Sequence, residues 1–175
     1  MGFFKDLFQK SNKTDQAGIT KKQKTEEKRL KFEQKVDDYF AYLLTIYNDY
    51  VDQYNKNKAI RDLINKKTEA EAYIRNIDNG IRLSQKAYDQ IQSAPYVYEI
   101  PKSIQQYMSA CKQQFLLNLE HNLKRDEAIK ELILNQNENH NKTMQHANEL
   151  LAKADQHLDS AMNYMEKARE NMVNL

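Results

Sequence analysis

The sequence predicts an all-α protein, either an elongated four-helix bundle or a set of helical hairpins, with an N-terminal amphipathic helix on a flexible tether. Three observations predict it. Three glycines and two prolines in 175 residues are too few turn formers for a sheet or a loop-built site. Apolar residues recur at helical spacing over four long stretches. Near the C-terminus they recur at strict sevens, the period of helices packed along a common seam.

The first ten residues form an amphipathic element. On a helix Phe3, Phe4, Leu7 and Phe8 share one side, while Lys5, Asp6, Gln9 and Lys10 face away. This is the layout of a surface anchor, and Phe3, Phe4, Lys5, Leu7, Phe8 and Lys10 are the residues expected to meet a membrane or a partner groove. Residues 11–24 hold a lone Gly18 and no apolar rhythm, which predicts a flexible basic linker. The remainder, 25–175, reads as a single helical domain with helices over about 25–54, 58–92, 103–134 and 142–174.

The first long helix begins at the N-cap Thr25 and carries Val36, Phe40, Leu43, Leu44, Tyr47, Val51 and Tyr54 on one face. A second row, Tyr39, Tyr42, Ile46 and Tyr50, widens the apolar arc to about 200°, so it predicts an interaction face on a second side. The rhythm lapses at Asn55-Lys56-Asn57-Lys58 and resumes one residue out of phase at Ile60, Ile64, Ala70, Ile74 and Ile77. A turn between antiparallel helices is expected there, with one helix carrying a stutter as the alternative. Ile77, Ile81, Tyr88 and Ile91 stay in phase across Gly80, so the second helix is expected to tolerate that glycine at about 1 kcal/mol.

Pro95 and Pro101 disfavour helix in the residues before them, which makes Ser93–Lys102 an extended connection packed along the bundle or, alternatively, a peptide-docking loop. The third helix carries Ile104, Met108, Cys111, Phe115, Leu119 and Leu123 through Ile129 and Ile133. An asparagine-rich run over 135–143 predicts the last bend. The fourth helix has Met144, Leu151, Leu158, Met165 and Met172 at sevens, with Ala147, Ala154, Ala161 and Ala168 between them. Alanine at each intermediate step admits a close partner helix, whether the first helix, the third or one from a second copy. Such a seam has no spare room: Leu151→Ala is expected to cost about 2–5 kcal/mol, and Ala154→Leu about 1–3.

No catalytic signature emerges. The residues three before His121, His140, His146 and His157 are Asn118, Asn137, Thr143 and Ala154, so the Glu-x-x-His pairs of a di-iron bundle are missing. His146 and His157 read as surface residues, and Cys111 as a small apolar residue. Three glycines do not write a phosphate-cradling loop. The protein is expected to be non-enzymatic, with no cofactor and no bound metal. Most of the eleven tyrosines fall at helical spacing among aliphatic neighbours, which suits packing better than stacking on nucleic acid.

Charge singles out the N-terminal end. The whole chain carries only +2, yet residues 1–35 hold ten basic against five acidic side chains, and residues 135–175 hold four against six. A basic, apolar-tipped segment suits anionic lipid, where each nearby cation adds about 1 kcal/mol. The longest apolar runs are only a few residues, against the roughly 18 that a spanning helix needs. Without a secretory-type apolar segment at the N-terminus, a cytoplasmic location is expected, on the cytoplasmic face of a membrane.

Taken together, Met1–Phe8, the basic run Lys21–Lys35, the expected turn at 55–58 and the stretch NKAIRDLINKKTEAEAYIRNIDNGI over 57–81 resemble the ESCRT-III and phage-shock-protein A superfamily across about half the chain. The resemblance implies a non-enzymatic scaffold whose tip enters one leaflet and whose hairpins self-associate side by side. The proline-flanked connection and the alanine heptads depart from it. The expected function is therefore a peripheral membrane-binding scaffold. The alternative is a soluble adaptor or chaperone-like bundle that grips a protein through its N-terminal helix and tyrosine-rich face.

Overall fold

The computed structural model describes the backbone of residues 3–66, 68–135 and 140–173, and the side chains from residue 23 onward within those spans except at 135. Four α-helices account for nearly all of it: α1 Phe3–Leu63, α2 Ala70–Gln92, α3 Lys102–Asn135 and α4 His140–Val173. Among the described residues there is no strand. The fold is all-α, and α3 is its centre, packing most extensively on α4, then on α2, and also touching α1.

The last three helices begin and end close to where periodicity places them, apart from the start of α2. The first hairpin differs. Residues 11–24, expected as a linker, are helical backbone within a 61-residue α1. Lysine, glutamine and alanine cost little in a helix, and a lone Gly18 costs about 1 kcal/mol, too little to break a long cooperative one. The turn is likewise displaced, because α1 runs through 55–58 to Leu63 and α2 starts only at Ala70.

The reason lies in the core. Down α1 the inward positions run Tyr47, Tyr50, Tyr54, Asn57 and Arg61 in alternating steps of three and four, and all five are buried. The helix has not ended at 55; its buried face has turned polar. Asn57 donates to the Asn76 carbonyl at 2.9 Å, and its own Oδ1 accepts from Asn79 at 2.8 Å. Ile60, expected to open the apolar row of the second helix, is 58% exposed.

One apolar cluster joins the helices. It takes in Val36, Phe40 and Leu43 of α1, Ala87 and Ile91 of α2, Ile104, Met108, Cys111, Phe115 and Leu119 of α3, and Ala161, Met165, Ala168 and Met172 of α4. Full burial of such side chains contributes about 1.5–3 kcal/mol for each large one before entropy is counted. The seam partner of α4 is thus α3, with α1 closing over its C-terminal half.

Candidate functional site

Two features lie at the edge of the core. The first is the N-terminal part of α1. The packed interior begins at Phe32 and Val36, where Arg169 of α4 reaches Asp37 at 3.1 Å and the end of α4 closes a small groove with Glu33, Val36 and Asp37. Gln23 to Lys31 are exposed apart from a half-buried Arg29, so α1 continues beyond the end of the bundle. Residues 3–31 span on the order of 40 Å at the α-helical rise. Arg29 donates to Glu26 at 2.6 Å and lies 3.8 Å from Glu33, pairs that support a solvated helix. The backbone of the expected anchor is helical from Phe3. The side chains of Phe3, Phe4, Lys5, Leu7, Phe8 and Lys10 lie outside the described residues.

The second feature is a groove at the root of this arm. Lys35, Asp38, Tyr39 and Tyr42 of α1 and Pro95, Val97, Tyr98 and Glu99 of the connection enclose about 510 Å³. Tyr98 is 80% exposed, and its ring lies 4.7 Å from that of Tyr96. Polar contacts fix the extended chain. Gln105 donates to the Tyr98 and Ile100 carbonyls at 3.0 and 2.8 Å, and Tyr96 donates back to Gln105 at 2.9 Å. Lys112 caps the end of α2 by donating to the carbonyls of Gln92 at 2.7 Å and Ala94 at 3.2 Å. Lys35 pairs with Glu99, and this hydrogen bond holds the Glu99 carboxyl below the usual range.

Of the four residues expected to form an interaction face, Tyr39, Ile46 and Tyr50 are buried in the chain's own core, and only Tyr42 is exposed. The second row on α1 serves the bundle, because α2 and the connection cover it. Burial pushes the Tyr47 phenol up to about 12 and raises Tyr39 and Tyr50 as well, so these hydroxyls stay protonated as donors and acceptors. Tyr47 donates to Asn118 at 3.0 Å, and Asn118 donates to the Ala154 carbonyl at 2.7 Å, linking α1, α3 and α4.

At the polar end of the core Asp126 is fully buried. Tyr54 donates to both of its oxygens at 2.8 and 2.6 Å, Arg125 at 3.1 Å, and Arg61 lies 3.7 Å away. Gly80 of α2 packs directly on this group; a Cβ there would stand 2.8 Å from Asp126 Oδ2. A buried carboxylate so enclosed by cations and a phenol is a structural joint between α1 and α3.

A scan against protein-family models gives no match, and neither curated proteins nor solved structures yield one. The reading of this chain therefore rests on its own residues.

Along α4 the alanines Ala147, Ala154, Ala161 and Ala168 are all buried, as are Met165 and Met172, while Leu158 packs against the core from a half-buried position. Met144 and Leu151 are exposed at 36% and 38%, and Leu150 takes the inward place at 5%. The seam is centred on alanine, so the leucine beside it, not the one seven residues from Met144, turns inward. Cys111 is buried and its thiol is pushed up to about 12, far from thiolate at neutral pH. His157, read as a surface residue, lies half-buried against His121. Four features escaped the sequence reading: Asn57, Arg61, Asp126 and the close approach at Gly80. For the first two a signal existed, since they continue the three-four spacing of Tyr50 and Tyr54.

Among the described residues no helix is long and apolar enough to cross a membrane.

Proposed function

We propose that this protein is a non-enzymatic scaffold of the cytoplasmic face of a membrane, which docks on anionic lipid through the N-terminal tip of α1 and holds its bundle away from the surface. The observation that supports this reading is the extension of α1 past the packed core, with exposed Gln23 to Glu27 on the way to an apolar segment. The sequence places Phe3, Phe4, Leu7 and Phe8 at the far end of that helical arm. Insertion of such side chains contributes on the order of 1.5–3 kcal/mol each, and ten basic residues over 1–35 add attraction to anionic headgroups. Self-association would bring several tips to one surface and raise avidity.

Co-sedimentation tests it. The intact chain is expected to pellet with anionic vesicles and to remain in solution with neutral ones, and a variant lacking residues 1–10 is expected to remain in solution with both. Equal recovery of the two proteins with anionic vesicles contradicts the proposal.

The groove at Tyr42 and Tyr98 favours a second reading, an adaptor that grips a protein segment at the root of the arm. Tyr42→Ser with Tyr98→Ser spares the core residues Tyr39 and Tyr50, so it separates this role from folding.

A further inference from the structure

His121 of α3 and His157 of α4 meet across the seam, with ring centroids 5.1 Å apart and planes tilted by 38°. Nδ1 of His121 lies 2.7 Å from the Leu117 carbonyl oxygen, and Nδ1 of His157 lies 2.7 Å from Oε1 of Gln114. Those oxygens only accept, so each Nδ1 carries a hydrogen and each neutral ring keeps its lone pair on Nε2. A proton taken up at Nε2 of both rings puts two positive charges side by side in a half-buried seam.

The charged groups around the pair offset this only in part. On α3, Glu120 is near both rings, but Lys124 donates to it at 2.5 Å and is the largest influence holding its carboxyl low. On α4, Asp155 is exposed and acts weakly on the Tyr47 phenol of α1, whose hydroxyl is bonded to Asn118. Burial first, and then His121, hold the His157 imidazole below its ordinary value against the opposing pull of Glu120. A base held low in the folded state favours folding above its ordinary pKa, and that contribution is lost as pH falls from there through the lowered folded-state value.

The pair also sits at a boundary. On its C-terminal side, Ala161, Met165, Ala168 and Met172 belong to the cluster shared by all four helices. On the other side Ala147, Leu150 and Ala154 are buried outside that cluster. We propose that His121 and His157 form a proton-operated latch, whose protonation frees the first half of α4, residues 140–156, from α3 while the rest of the bundle stays closed.

Amide hydrogen exchange, corrected for the intrinsic effect of pH, tests the latch. Between about pH 7.5 and about pH 5.5, protection over residues 141–156 is expected to fall by about tenfold relative to 160–173. In His157→Gln, which is neutral at both values, that differential fall is expected to vanish. A wild-type chain without the fall, or a variant with the same fall, overturns the proposal. Imidazole titration of the unmodified chain by NMR gives a readout independent of any variant: His157 is expected to titrate below free histidine, and titration at or above it also overturns the latch.

Discussion

Gly80 is where one absent carbon decides how closely two helices approach. An ideal Cβ would lie 2.8 Å from Asp126 Oδ2, 3.2 Å from Tyr54 Cε2 and 3.4 Å from Asn57 Nδ2. Asp126 has nowhere to go, since Tyr54 and Arg125 hold it and no solvent reaches it. Gly80→Ala would ordinarily gain about 1 kcal/mol of helix propensity. Here overpacking and disturbance of a buried ion group outweigh that gain, and a net loss of about 2 kcal/mol is expected in urea unfolding. An unchanged or higher midpoint would mean that α2 can move away freely. From the sequence alone Gly80 was a tolerated cost, because nothing in a single chain of letters pairs position 80 with position 126.

At the scale of the element, what repeats is legible and what is buried polar is not. The ends of α3 and α4 and the connection between the prolines follow from apolar spacing and from the conformational limits of Pro95 and Pro101. The end of α1 lies beyond its apolar rhythm because Asn57 and Arg61 occupy inward positions, and a rule that equates inward with apolar stops at Tyr54. The seam of α4 fails the same way in miniature: both Leu150 and Leu151 suit a helical stripe, and only the partner helix decides between them. Leu150→Ala is expected to cost about 2–4 kcal/mol, and Leu151→Ala less than about 1. Paired thermal or urea midpoints check the difference, and a reversed order would put α4 on α3 in a rotated setting. Of the candidate site, the tip rests on the spacing of Phe3, Phe4, Leu7 and Phe8, whose side chains lie outside the described residues, whereas the groove at Tyr42 and Tyr98 required two segments more than fifty residues apart in sequence to be brought together.

At the scale of the whole molecule, the chain divides its apolar residues between two places. Most line one interior shared by four helices, with a polar joint around Asp126 toward the end where α1 and α2 meet. A few are scattered over the surface, Ile60, Leu63 and Tyr98 among them, and the sequence sets four more, Phe3, Phe4, Leu7 and Phe8, at the start of a helix that leaves the bundle near Phe32. This separation, and no single motif, is what supports a surface-docking role. It also makes the protein convenient to interrogate, because the sequence contains no tryptophan and any introduced one reports alone. Single variants Phe4→Trp and Tyr98→Trp, each mixed with anionic vesicles whose acyl chains are brominated, compare the tip with the root of the arm directly. The account predicts a blue-shifted, strongly quenched emission from Trp at position 4 and little change at position 98. Quenching at position 98 with none at position 4 would contradict it.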